Sequence, residues 1–326
     1  MSSENVSGRL KLLSCFALVL VTVLVTIFTE GSKSSDGQYP YNTFAIPCYV
    51  EALKLIISTL LLLRERGSIS QPRLPSRPLK TSLSRFFAYA VPAACYFISN
   101  NCVFHVIKHL GAPTFQIVNN LKVLSTAMLM YLFLGKKLTW SQWKAMLILV
   151  VGSMVTQLDC KSFSESETID HPRSRSKAYI YVLTSAITSS VGGVTSEFLL
   201  KKTWNEQGAH RHENSIHWNN VQLYFFGAIF GVLALKLSAS GSLLSEASRG
   251  FNRSAYATVC AMVVSGLLVS FILKHLDNIA KSFVMAMSML VVALLDGLMN
   301  GGIIPIHIFL GIVLTCLALE QYSYST

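Results

Sequence analysis

A chain of 326 residues that is 52% hydrophobic and only 13% charged lacks the polar side chains to coat a soluble domain, where about 25% charged residues is usual. Its mean hydropathy of +0.49 points to a bilayer. The formal charge of +11 does not argue for nucleic acid, because many of the 27 Lys and Arg sit in short segments between apolar runs, where positive-inside sorting accounts for them.

About 17–25 mostly apolar residues are needed for a helix to cross the hydrocarbon, and that ruler gives ten spans. They fall near 12–29, 43–63, 86–107, 113–134, 141–158, 177–200, 218–238, 256–275, 279–299 and 302–320. The first follows Arg9 and Lys11 as a signal peptide would, but it is long for a signal core and no small-x-small cleavage pattern follows, so a retained helix is expected. Turn and loop residues fill the gaps, from Gly37 to Asn42, through Pro72, Pro75 and Pro78, and over the polar segment 159–176. Spans 86–107 and 113–134, and likewise 256–275 and 279–299, have almost no linker, so each pair reads as a tight hairpin. The fold class expected is all-α integral membrane.

Loop charge sets the orientation. Arg64, Arg66, Arg73, Arg77, Lys80 and Arg85 fill the second loop, Lys136 and Lys137 the fourth, and Lys201, Lys202 and Arg211 the sixth, which places those loops and both termini in the cytosol. The fifth loop mixes Lys161, Arg173, Arg175 and Lys177 with Asp159, Glu165, Glu167 and Asp170. An internal echo adds a symmetry argument, since Phe104-His-Val-Ile-Lys-His-Leu110 closes the third span and Ser270-Phe-Ile-Leu-Lys-His-Leu276 closes the eighth. Five spans separate the copies, and an odd offset inverts the second in the membrane, the arrangement of inverted-repeat transporters. The division expected is 1–158 for one five-helix repeat, 159–176 for a lumenal loop and 177–326 for the second repeat.

Ionisable and amide groups inside an apolar span cost about 2.5–3.5 kcal/mol each, so they persist where they have a role. They are Glu51 and Lys54 in the second span, Asn100 and Asn101 in the third, Gln116, Asn119, Asn120 and Lys122 in the fourth, and Glu197 in the sixth. The seventh adds Asn219, Asn220, Gln222 and Tyr224, and the ninth opens with Asp277-Asn-Ile-Ala-Lys281. Lys122 lies too deep for easy snorkelling, and Lys281 lies one turn inside a helix start, where the macrodipole favours an anion. Two such lysines from opposite halves would clamp a phosphate or diphosphate, with amides and Tyr224 reading base or sugar. The competing reading pairs each lysine with Glu51, Glu197 or Asp277. Tyr224, Phe115 and Phe283 are candidate base-stacking rings, though membrane aromatics more often pack. Glu51 and Lys54 are spaced for an intrahelical pair, and Gly192-Gly193 for close helix packing. Asn252-Arg-Ser is a glycosylation sequon that abuts the eighth span.

Cys15, Cys48, Cys95, Cys102, Cys260 and Cys316 lie inside apolar runs and Cys160 at an edge, so neither a disulfide scaffold nor a zinc site is suggested. No phosphate-binding loop, metal-ligand spacing or acid–base set appears, which leaves no expected cofactor and argues against an enzyme.

Six segments in order carry a resemblance: Tyr49-Val-Glu-Ala-Leu-Lys54, Asn100-Asn101, Thr114-Phe-Gln-Ile-Val-Asn-Asn-Leu-Lys122, Ser196-Glu-Phe-Leu-Leu-Lys-Lys202, Asn220-Val-Gln-Leu-Tyr224 and Lys274-His-Leu-Asp-Asn-Ile-Ala-Lys281. Together they resemble the nucleotide-sugar transporter family, in the branch of Golgi UDP-galactose, UDP-N-acetylglucosamine and CMP-sialic acid carriers. The resemblance implies ten helices in two inverted five-helix repeats, Golgi residence, and antiport of a cytosolic nucleotide sugar against lumenal nucleoside monophosphate. Those two solutes and the bilayer are the partners expected, with a homodimer as the candidate assembly. By position Lys122 and Lys281 would hold phosphate, Asn101, Asn220 and Tyr224 would contact the nucleotide, and Ser265, Gly266 and Ser270 would line the pocket. Asn119 of the amide ring and the Glu51–Lys54 pair complete the candidate site. Phe115 stands where UDP-sugar carriers have Phe and a CMP-sialic acid carrier would have Tyr, which favours a UDP-galactose type of solute. Asn119-Asn120 in place of Thr-Tyr, and Ser265 in place of glycine, depart from the family pattern. A CMP-sialic acid carrier and a non-transporting membrane scaffold are the alternatives.

Overall fold

The computed structural model describes residues 8–34, 39–67, 79–156, 172–205, 215–238, 249–299 and 306–324, and within one long helix the side chains of residues 103–121 also lie outside the described residues. Ten helices are found among the described residues. They are α1 Gly8–Glu30, α2 Ala45–Gly67, α3 Leu79–Ala88, α4 Ala90–Leu134 and α5 Trp140–Thr156, followed by α6 Pro172–Asn205, α7 Ile216–Ser238, α8 Arg253–His275, α9 Asn278–Met299 and α10 Ile306–Tyr324. Five are long and apolar enough to cross a bilayer by length and composition: α1, α2 as far as Glu65, α7, α8, and α9 as far as Leu295.

The ends of these helices are set by local chemistry. Gly135 takes a φ of 64°, a left-handed conformation that suits glycine, and closes α4. Thr139 and Gln142 form a reciprocal capping box at the start of α5, the Gln142 side chain accepting from Thr139 N at 2.9 Å and Thr139 Oγ1 from Gln142 N at 3.3 Å. Ser215 caps α7 by accepting from His217 N at 3.2 Å, and its hydroxyl also donates to Glu65 at the end of α2. Asn252 caps α8, its Oδ1 accepting from Ala255 N at 2.8 Å.

Several boundaries differ from the sequence expectation, among them α3, which begins at Leu79 inside the basic segment expected as loop and ends at a break at Tyr89 within the span expected over 86–107. Helix α6 begins at Pro172, inside the segment expected as loop, because proline at a first helical position sacrifices no hydrogen bond. Helix α4 is helical through both expected spans, since nothing between them but Gly111 and Pro113 opposes helix, and Pro113 removes only one backbone donor. It is nevertheless not straight. Ser99 bonds Ser185 and Ser125 bonds Ser190. A straight helix would separate Ser99 from Ser125 by about 39 Å, whereas their partners lie about 7.5 Å apart along α6. Helix α4 therefore bends between them, where the sequence expects two spans to meet.

The chain divides into two compact units, each drawing on both halves of the sequence: Met1–Phe97 with Thr195–Asp277, and Ile98–Val194 with Asn278–Thr326. In the first unit α1 packs on α8 and α2 packs on α7. Gly227 and Gly231 lie one turn apart on the face of α7 against α2, and a Cβ at Gly231 would come within 3.1 Å of Cys48 Cα. Small residues allow such approach, which drives helix association in lipid. Hydrogen bonds join the helix ends: Asn252 Nδ2 donates to Ser32 O at 2.9 Å, Ser32 Oγ lies 2.6 Å from the Tyr41 hydroxyl, and Asn42 Nδ2 donates to Ser238 Oγ at 3.1 Å. The Asn252 amide of the sequon is thus occupied on both sides.

In the second unit α5 packs on α10, where a Cβ at Gly152 would meet Gly311 O at 3.2 Å and one at Gly311 would meet Gly152 O at 2.8 Å. Val123, Met130, Met146, Leu149, Ile279, Phe283 and Tyr322 form its core. Gly193 faces the side chain of Asn278 with no room for a Cβ, so the Gly192-Gly193 step serves close packing, as its composition suggests.

Candidate functional site

In the first unit, α2, α7 and α8 bring together five of the residues singled out by the sequence. Lys54 is 8% exposed, and its ammonium donates to Glu51 Oε1 at 2.5 Å, the intrahelical pair expected from their spacing. The same ammonium lies 4.2 Å from the centroid of the Tyr224 ring. Tyr224 is in turn fixed by its hydroxyl, 2.8 Å from Ser270 Oγ and donating to Gly266 O at 3.3 Å, while Ser270 Oγ also donates to Gly266 O at 3.2 Å. Each group orients the next, from carboxylate to ammonium to ring to hydroxyl to backbone. Asn220 is buried one turn before Tyr224, and Ser265 is half-buried beside Gly266.

Two glycines make room for the ion pair. A Cβ at Gly227 would approach Glu51 Oε2 to 2.7 Å, and one at Gly266 would approach Lys54 Cδ to 2.7 Å and its Nζ to 3.3 Å. The sequence marks Gly266 through the family resemblance, but Gly227 carries no signal until α2 is known to lie against it. Asn219, beside Asn220, is buried with both side-chain polar atoms unpartnered among the described residues, a cost of about 1–3 kcal/mol that an apolar residue would avoid.

The second unit holds Asn101, Lys122 and Lys281. Lys122 is anchored through its backbone: Ser125 Oγ donates to Lys122 O at 2.9 Å and Ser190 Oγ, from α6, donates to it at 3.3 Å. Ser125 and Ser190 are 2.8 Å apart, and Thr126 Oγ1 donates to Ser190 Oγ at 3.0 Å. No acidic side chain among the described residues pairs with the Lys122 ammonium. Glu51 and Glu197, two of the acids that would neutralise it, hold Lys54 and Lys201 instead. Lys281 lies in the first turn of α9, at the positive end of the helix dipole, and like Asn101 and Asp277 it takes part in further interactions.

Although Lys122 and Lys281 come from opposite halves of the sequence, they belong to the same compact unit. Their chain neighbours Val123, Ile279 and Phe283 share one core. Phe283 packs rather than offering a stacking face, the commoner of its two readings: it is 1% exposed and lies 5.0 Å from the Tyr322 ring. Phe115 and Asn119 lie outside the described residues.

The chain matches the nucleotide-sugar transporter family over residues 6–323. It is 31% identical over 322 residues to CMP-sialic acid transporter 1 of Oryza sativa subsp. japonica, covering 93% of each chain. It is 28% identical over 328 residues to the UDP-N-acetylglucosamine transporter of Homo sapiens, covering 97% of this chain and 96% of that one. A protein of known crystal structure shares the fold with a TM-score of 0.67 at 12% identity, over 98% of both chains. The apolar helices make this a multi-pass membrane protein, and its relatives are transporters rather than enzymes. With the match covering nearly every residue, the chain belongs to the nucleotide-sugar transporter family.

Proposed function

We propose that this protein is a Golgi antiporter that exchanges a cytosolic pyrimidine nucleotide sugar, of the UDP-galactose type, for a lumenal nucleoside monophosphate. It would do so by alternating access with ten membrane helices in two inverted repeats, 1–158 and 177–326, and with both termini cytosolic. Lys122 and Lys281 meet the phosphates, while Asn101, Asn119, Asn220, Tyr224, Phe115, Ser265, Gly266 and Ser270 contact base and sugar beside the Glu51–Lys54 pair. The observation that carries the reading is Lys122: a lysine deep in an apolar helix, with no acidic partner among the described residues and its backbone held from α6. A cation so placed is expensive when the carrier is empty, and a phosphate offsets that cost, so the loaded carrier crosses more readily than the empty one.

The test is exchange in proteoliposomes loaded with UMP. External UDP-galactose should be taken up, and Lys122→Ala or Lys281→Ala should abolish uptake while the purified protein remains folded. Retained uptake in both variants would remove the phosphate-clamp assignment. A second reading, a CMP-sialic acid carrier, is favoured by the 31% identity to the rice CMP-sialic acid transporter, against 28% to the human UDP-N-acetylglucosamine transporter. Thermal stabilisation by UMP but not CMP supports the first reading, and the reverse order supports the second.

A further inference from the structure

Gly227 has no counterpart among the residues the resemblance marks, yet a Cβ there would come within 2.7 Å of Glu51 Oε2 in the charged pair of α2. We infer that Gly227 is a positioning residue: its missing side chain forms the slot in α7 that receives the Glu51 carboxylate, and through it sets where the Lys54 ammonium stands. The inference rests on the reading that the Glu51–Lys54 pair belongs to the solute site.

Two glycines on one face of one helix differ in what a methyl would meet. A methyl at Gly231 would meet the backbone of Cys48, with Cα at 3.1 Å, N at 3.6 Å and Cβ at 3.5 Å. Backbone cannot step aside, so α7 and α2 would have to part, and the packing that holds them in lipid would weaken. The atoms nearest to a methyl at Gly227 would all belong to the Glu51 side chain, with Oε2 at 2.7 Å, Cδ at 3.0 Å and Cγ at 3.2 Å. That is the free end of a flexible side chain, which rotates away at little cost to the helix pair. When it rotates, the 2.5 Å bond to Lys54 is lost or redirected, and the ammonium leaves its place 4.2 Å over the Tyr224 ring. Gly266 shapes the other side of the same slot, since a methyl there would press on Lys54 Cδ. Gly227 therefore governs the direction of a charge, and Gly231 governs the distance between helices.

The experiment compares Gly227→Ala with Gly231→Ala in the full-length protein. Unfolding temperature without nucleotide reports packing, and exchange in liposomes together with stabilisation by UMP and by CMP reports the site. Gly227→Ala should leave the empty protein close to wild type in unfolding temperature while weakening exchange about tenfold, the scale of one misplaced charge-assisted hydrogen bond. Gly231→Ala should lower the unfolding temperature and leave the nucleotide preference as in wild type. Shortening the acid with Glu51→Asp in the Gly227→Ala background should restore part of the exchange, because the shorter carboxylate clears the methyl. Wild-type exchange in Gly227→Ala, a fall in its stability matching that of Gly231→Ala, or no restoration by Glu51→Asp would each overturn the proposal. Normal exchange in both Glu51→Gln and Lys54→Ala would instead remove the pair from the solute site, and with it the reading on which the inference stands.

Discussion

The Lys54 ammonium stands 4.2 Å from the centroid of the Tyr224 ring, within cation–π range and shielded from water on most sides. The ring has two roles there, an electrostatic one through its face and a structural one through its hydroxyl. Tyr224→Phe removes only the second, and Ser270 keeps its own bond to Gly266 O. The expected loss is about 1 kcal/mol of stability, with exchange retained. Tyr224→Ala removes both and leaves a cavity, so stability should fall by about 3–5 kcal/mol and exchange should be lost. Thermal unfolding in detergent and uptake into liposomes measure the two effects separately.

A second expectation concerns the asymmetry of Glu197 and Lys201. The carboxylate is 1% exposed and accepts a 2.6 Å bond from a lysine whose side chain is about a third exposed. Lys201→Ala takes a cation away from a buried carboxylate, whereas Glu197→Gln leaves a lysine long enough to reach water. Lys201→Ala should therefore lower the unfolding temperature more than Glu197→Gln. Equal shifts would mean the pair behaves as an ordinary surface bridge.

The sequon at Asn252 gives a third. Its side chain caps α8 through Oδ1 and ties that helix to α1 through Nδ2, at 2.8 and 2.9 Å. Asn252→Ser keeps the cap and drops the tether, while Asn252→Ala drops both, so stability should descend from wild type to Ser to Ala. The loss of the cap accounts for about 1 kcal/mol of the last step. Peptide N-glycosidase should leave the electrophoretic mobility of the wild-type protein unchanged, because the sequon directly abuts the apolar helix α8 and stands too near the bilayer to be used.

Much of this was legible in the residues. Apolar length and the Leu- and Val-rich composition locate α1, α2, α7, α8 and α9 to within a few residues. The i, i+3 spacing of Glu51 and Lys54 foretells their pair, and Gly192-Gly193 foretells tight packing. What escaped reading depends on partners distant in sequence. Gly227 looks like any glycine in an apolar helix until α2 lies against it. Phe283 could stack or pack until Tyr322, 39 positions later, is seen against its ring. The near-absent linker between spans 86–107 and 113–134 foretells the bend of α4, but not the Ser99 and Ser125 contacts to α6 that hold it, since hydroxyls in apolar runs carry no spacing signal of their own.

The serine cluster around Lys122 separates the anchorage of that residue's backbone from the freedom of its side chain. Ser125 and Ser190 grip the peptide carbonyl of that residue and leave its ammonium alone, so the helix is moored to its neighbour by groups that carry no net charge. On the proposed reading, an anion at Lys122 would engage only the four-carbon arm of its side chain. Neither bond involves the Lys122 side chain, so the lysine arm can change its torsions without breaking the contact between α4 and α6.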